Sequence, residues 1–165
     1  MKFTGRCWKF GDNIPTDRLV KSKYVLEPME EIVKHVLEDL NPEFPRSVQP
    51  GDIVIAGRHF GQSSGRAIAT KALQATGIGC VVADTFARTF YRNCFEIGLP
   101  ALAVDGVTGL VSDGDEVSVD ISSGEFRNLT TGAVRTSPAA PDFLLQMLEA
   151  GGLIKLAAAQ PGLFE

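Results

Sequence analysis

Between the apolar runs IVIA and CVVA lies a stretch, residues 57–77, that reads GRHFGQSSGRAIATKALQATG. Its chemistry-bearing residues are Ser63, Ser64 and Arg66. A serine hydroxyl can bind or exchange a proton, and a guanidinium grips a carboxylate or phosphate through a two-pronged fork. With a strand before the loop and a helix after it, backbone N–H groups and the positive end of the helix converge on one spot, which favours an anion. The spacing is neither G-x-x-x-x-G-K-[ST] nor G-x-G-x-x-G, so this is not a nucleoside-triphosphate or dinucleotide loop. Locally, the same residues also suit a tight strand-to-helix connection whose serines cap the helix and whose Arg66 is solvated.

The elements that must position this loop follow from periodicity. Residues 2–10 alternate loosely and stop at Gly11-Asp12-Asn13, as a strand and turn would. Apolar residues at helical spacing predict an amphipathic helix over 29–40, started by Pro28. Residues 42–50 hold three prolines and read as a loop. Short apolar runs predict buried strands at 52–56, 80–83 and 99–104, with helices over 67–75 and from Phe86 to a stop at Gly98. The tail carries Asp-Gly, Ser-Gly and Thr-Gly turns between alternating segments, as antiparallel hairpins do, and ends in a helix over 141–150. Strand–helix–strand units followed by hairpins imply an α/β domain with a mixed sheet.

Composition narrows the function classes. The 165 residues are 44% hydrophobic and 22% charged, with a net charge of −4. Such a chain can bury a full core as one domain over 1–165, and its acidic balance provides no footprint for a nucleic-acid backbone. Cys7, Cys80 and Cys94 are far apart, so they read as apolar filler rather than as a disulfide framework or a metal site. No apolar run approaches the roughly 20 residues needed to span a bilayer, and the first residues lack a signal-peptide core. A cytoplasmic protein without a membrane partner is the expectation.

The segments GRHFGQSSGRAIATKAL and GCVVADTFARTFYRNCFEIGLPAL resemble the signature region of the small subunits of 3-isopropylmalate dehydratase and homoaconitase. These subunits are the swivelling β/β/α domain of the aconitase superfamily. Their pattern runs approximately G-x-N-F-G-C-G-S-S-R-E-x-A, then S-F-A-R-I-F-Y-R-N. GDNIPTDRLV, PGDIVIAG, DGDEVSVDISSG and EAGGLIKL resemble other parts of the same family, so the resemblance extends from about Phe3 to Lys155.

The resemblance implies half of an enzyme. A separate large subunit would hold a [4Fe–4S] cluster through three cysteines, leaving one iron open for the hydroxyl and carboxylate of a 2-hydroxy diacid substrate. The chain itself would carry no cofactor and no metal. Water is removed from the substrate and added back at the neighbouring carbon, which needs a base for a proton beside a carboxylate and positive groups for the resulting charge.

Ser64 falls on the serine that acts as base, and Arg66 on the arginine that binds a substrate carboxylate. Gln62, Ser63 and Gly65 complete the substrate-binding loop, standing where the family has cysteine, glycine and a second serine. Ala67 replaces the family glutamate, which removes a carboxylate that could orient Arg66. Thr16 and Asp17 fall on a Thr-Asp pair near the cleft, where the aspartate can orient a histidine of the large subunit. Tyr24, Val25, Leu26 and Glu27 correspond to the specificity loop Y-L-R-[LT]. Counted from Asp17, Glu27 stands at the arginine, and its carboxylate would repel an anionic side group unless Lys21 or Lys23 substitutes.

The implied function is that of a 3-isopropylmalate dehydratase small subunit in leucine biosynthesis, acting on an alkyl-substituted malate. The alternatives are a relative working on dimethylmalate or a methylcitrate-like acid, and a non-catalytic binding or regulatory domain. Arg88 and Arg92 are expected to meet the partner subunit or to brace the loop, and Phe86, Phe90 and Tyr91 to serve as core. His35 and His59 are assigned no catalytic role.

Overall fold

The structure, a computed structural model, describes residues 1–164. One strand organises it. β1 (Lys2–Lys9) is paired along both edges with opposite senses: residues 2–6 run antiparallel to β5 (Glu116–Asp120), and residues 7–9 run parallel to β2 (Ile53–Ala56). Beyond β2 lie β3 (Cys80–Ala83) and β4 (Ala101–Ala103), all parallel. Beyond β5 lie β6 (Glu125–Asn128) and β7 (Val134–Thr136), all antiparallel. The seven strands therefore form a mixed sheet in the order β4-β3-β2-β1-β5-β6-β7.

β2 and β3 are buried at every position, which is why they read as continuous apolar runs rather than as alternation. Helices cover this parallel half. The long ones are α4 (Ala67–Ala75) and α5 (Arg88–Ile97), which lie against each other, with α6 (Asp142–Ala150) and α7 (Leu153–Ala159) packed on α5. In the tail, Ser123-Gly124 and Thr131-Gly132 make the expected hairpin turns. Asp113-Gly114 does not; it leads into β5 instead, with the Gly114 N–H bonded to the Cys7 carbonyl at 2.9 Å.

Three expectations need correction. The helix expected over 29–40 is α2 (Met29–Ile32) followed by a 3-10 turn over Val33–His35. The chain then breaks at Leu37, whose φ is +56°, because its N–H bonds the Leu19 carbonyl at 3.1 Å rather than continuing the helix. Val36 and Leu37 are still fully buried, so the apolar pattern marked burial correctly while tertiary contacts chose the backbone. The proline-rich loop over 42–50 contains α3 (Phe44–Ser47), because Pro45 sits in its first turn, where no N–H is needed. A further helix, α7, follows Gly151-Gly152, where only a stop was expected.

Phe44 shows what α3 contributes. Its ring packs edge-on against Trp8 at 5.3 Å and Phe10 at 5.7 Å, while the Arg6 guanidinium lies over the Trp8 ring at 4.5 Å. The Trp8 indole donates to buried Asp52 at 2.7 Å, and Asp52 also accepts the Gln49 N–H at 2.9 Å. Asp52→Ala leaves both donors without an acceptor and is expected to cost about 2–3 kcal/mol, and Asp52→Asn less. Urea unfolding of the two variants measures the difference.

Candidate active site

The regular strands β1 and β2 end at Lys9 and Ala56, yet their pairing does not. The N–H of Phe10 bonds Ile55 O at 2.8 Å, Gly57 bonds Gly11 O at 3.1 Å, Asn13 bonds Arg58 O at 2.7 Å, Gly61 bonds Ile14 O at 2.8 Å and Thr16 bonds Gln62 O at 2.9 Å. On the other edge of the loop, Phe60 N–H bonds Thr85 O at 3.0 Å and Ala87 N–H bonds Phe60 O at 2.9 Å. Residues 57–62 are thus held on both sides, beyond the carboxyl ends of the parallel strands, where open α/β sheets receive ligands.

An aromatic group supports the loop from below. Phe60 meets Phe90 at 5.2 Å and Phe86 at 6.1 Å, both edge-on. Gly61, with φ +79°, lies directly against Phe90: a Cβ there would be 2.1 Å from the ring. No other residue fits that approach.

The chain then turns through Ser63, whose φ of +84° is in the region that favours glycine. That is the position where the resembling family has glycine. Asn13 and His59, with φ of +56° and +58°, adopt the same unusual region on the two paired segments. Backbone strain of this kind gathers at binding sites.

Ser64 is half-buried, and its Oγ accepts the Arg66 backbone N–H at 3.1 Å. The carbonyl of Gly65 accepts Asn93 Nδ2 at 3.2 Å, so the loop is tied to α5. Arg66 is the residue preceding α4, with an extended backbone and no side-chain cap. The serines therefore do not cap the helix; Ser64 bonds inside the turn. The Arg66 side chain is exposed and, among the described residues, in no ion pair.

α1 (Thr16–Leu19) brings the Thr-Asp pair to the same place. Thr16, Asp17 and Arg66 line one narrow crevice together with Val25. Thr16 is only 4% exposed, and its hydroxyl has no partner among the described residues. Gln62 donates to Asn13 O at 3.3 Å.

The segment 24–27 reaches the crevice through Val25. Val25 faces the crevice, Glu27 is exposed, and Leu26 stands out into solvent at 95% exposure. Tyr24 fixes the segment by stacking on His35 at 3.8 Å. Of the two nearby lysines, one is held by acids. Lys21 is clamped by Glu38 at 2.8 Å and Asp39 at 2.7 Å, which raises its pKa, and Lys23 lies over the Tyr24 ring at 4.7 Å.

Gln62, Ser63, Ser64, Gly65, Arg66, Thr16, Asp17 and Val25 therefore come together, whereas Leu26 and Glu27 stand at the rim. Asn93, rather than Arg88 or Arg92, braces the loop. Helical spacing carried a signal for it: Asn93 is one turn beyond Thr89, whose Cγ2 would be 3.1 Å from a Cβ on Gly65, so both share the face turned to the loop.

The three cysteines are buried. Burial first, then the Asp115 and Asp113 charges, push the Cys7 thiol up to about 11, and burial raises Cys80 and Cys94 further. All three stay protonated at neutral pH, while a metal ligand must be a thiolate. Among the described residues, no three His, Cys, Asp or Glu side chains are grouped to hold a metal ion. These residues do not fit an iron–sulfur cluster. No helix among the described residues is long and apolar enough to cross a membrane.

The family of the aconitase C-terminal domain matches residues 19–105. The isopropylmalate/citramalate isomerase small subunit of Methanocaldococcus jannaschii is 44% identical over 91% of this chain and 90% of its own. A 3-isopropylmalate dehydratase small subunit of Methanopyrus kandleri is 44% identical over 98% of this chain and 96% of its own. The crystal structure of a 3-isopropylmalate dehydratase from Methanocaldococcus jannaschii superposes with a TM-score of 0.91 at 31% identity, covering 98% of this chain and 96% of that one.

The strain at residue 63 is testable. Ser63→Gly releases a left-handed cost of about 1–2 kcal/mol against the added flexibility of glycine. A net gain of about 1 kcal/mol is expected, read as a higher Tm in thermal unfolding.

Proposed function

Because the chain belongs to the family of the aconitase C-terminal domain, among the 3-isopropylmalate dehydratase small subunits, we infer that it is the small subunit of a two-subunit hydro-lyase. That enzyme dehydrates and rehydrates an alkyl-substituted malate in leucine biosynthesis. A [4Fe–4S] cluster is assigned to the large subunit, a reading supported by the buried, protonated thiols of this chain, which do not fit one.

The observation that carries the reading is the hydrogen bond from the Arg66 backbone N–H to Ser64 Oγ at 3.1 Å. A serine hydroxyl is a weak base, and a donor aimed at its oxygen favours the alkoxide. As alkoxide, Ser64 takes the proton from the carbon beside a substrate carboxylate and becomes the hydroxyl. The C–H electron pair becomes the π bond of the new C=C as the neighbouring C–O bond breaks, and the oxygen leaves with that bond's pair as hydroxide, for which a cluster in the large subunit would supply an open iron. On rehydration the Ser64 hydroxyl returns the proton.

The unpaired Arg66 grips the carboxylate, where negative charge grows as the proton departs. In the absence of a glutamate at position 67, Asp17, across the crevice, is the acidic group on the same lining. Asn93 holds the turn between Ser64 and Arg66 through the Gly65 carbonyl and so sets the spacing of base and clamp.

The rim favours an alkyl side group. Leu26 presents an apolar side chain, and covering it contributes up to roughly 2 kcal/mol. Glu27 repels a distal carboxylate, and Lys21, already held by Glu38 and Asp39, offers it no partner.

Ser64→Ala in the complex with the cluster-loaded large subunit is expected to lower kcat by about 10²–10⁴ while assembly is kept. Unchanged turnover would remove Ser64 as base, and no turnover of any 2-alkylmalate by the unmodified complex would favour a non-catalytic binding domain. Leu26→Arg and Glu27→Arg are each expected to raise kcat/KM for a malate with a distal carboxylate, relative to an alkylmalate, by about tenfold or more, the scale of one to two kcal/mol of binding. Competition between the two substrates checks this.

A further inference from the structure

A second hollow opens beside the loop, at the carboxyl ends of β3 and β4. It has a volume of about 280 Å³ and is lined by Thr85, Phe86, Arg88, Tyr91, Arg92 and Ala103. Arg88 and Arg92 are the first residue of α5 and the one a turn later, so two like charges stack on one helix face. They lie at the positive end of that helix, whose first turn has no acidic residue. Both are exposed, and among the described residues neither is in an ion pair or a side-chain hydrogen bond.

Left alone, this arrangement is electrostatically unfavourable, and an incoming anion would neutralise it. Phe86 and Tyr91, with ring centroids 5.4 Å apart, supply apolar walls. The volume is enough for one or two side chains of a protein partner. Arg and Tyr are also the residues that most often anchor protein interfaces.

We propose that the Arg88–Arg92 face of α5 docks an acidic segment of the large subunit, with its carboxylates on the two guanidiniums and a neighbouring apolar side chain against the Phe86–Tyr91 pair. The face adjoins the loop: Thr89, next to Arg88, lies against Gly65, and Asn93, next to Arg92, donates to the Gly65 carbonyl at 3.2 Å, so a partner covering Ser64 and Arg66 lies beside it. The proposal rests on the two-subunit reading above.

The test compares the unmodified chain with Arg88→Glu and with the double variant Arg88→Glu/Arg92→Glu, in binding to the large subunit and in thermal unfolding of the isolated chain. The double variant is expected to bind at least 100-fold more weakly and to lose most of the salt dependence of association. Arg88→Glu, which places an acid at a helix N-terminus, is expected to raise the Tm of the isolated chain while weakening binding. These opposite signs separate docking from a merely structural role. Binding within twofold of the unmodified chain would overturn the proposal, as would normal binding with lost turnover, which would put the arginines on substrate. Failure of the unmodified chain to bind the large subunit would instead overturn the two-subunit reading.

Discussion

The site depends on a backbone ladder that outlasts its strands. Parallel pairing between the chain leaving β1 and the chain leaving β2 continues through five hydrogen bonds, from Phe10–Ile55 to Thr16–Gln62. Each bond satisfies a polar group that the sheet would otherwise leave open, and each also removes freedom from a loop that must hold a base and an anion clamp in place. Thr16 and Asp17 reach the crevice because the last rung of this ladder ends there. Gly61 holds the other face: the ladder can lie flat on Phe90 only because no side chain intervenes.

Rigidity and strain are complementary at this edge. Asn13, His59 and Ser63 hold left-handed backbones on the two paired segments, and the aromatic group of Phe60, Phe86 and Phe90 supports them from one side. Tight packing below and backbone pairing on both flanks leave the upper face as the open direction, where Ser64 and Arg66 are presented. The rim is anchored separately, through Tyr24 on His35 and Lys21 on Glu38 and Asp39, so substrate selection and proton transfer rest on different contacts.

Much of the fold was legible. The runs IVIA and CVVA announced buried parallel strands, and the 67–75 helix was bounded as the structure has it, because local propensity and tertiary burial agree there. The 29–40 helix shows the opposite case. Its apolar spacing is good, but Leu19, Lys21 and Tyr24, all distant in spacing, take the Leu37 N–H, the Glu38 carboxylate and the His35 ring, and the backbone follows them. Phe44 was hidden by its prolines, which mark loops in general but suit the first turn of a short helix equally well.

The amino-acid order by itself determined which residue types stand together in GRHFGQSSGRA and that a strand and a helix flank them, since those follow from short-range propensity and a recognisable pattern. It also pointed to the three cysteines as apolar filler; all three are buried, and Cys7 in addition donates to the Ser112 carbonyl at 3.3 Å. What only the tertiary structure decided is the partner of each group. Asn93 placed on the Gly65 carbonyl, Lys21 drawn to Glu38 and the two α5 arginines left unpaired all depend on distances between segments far apart in the chain. Those distances are set by burying apolar surface throughout the molecule, and no local stretch of sequence contains them.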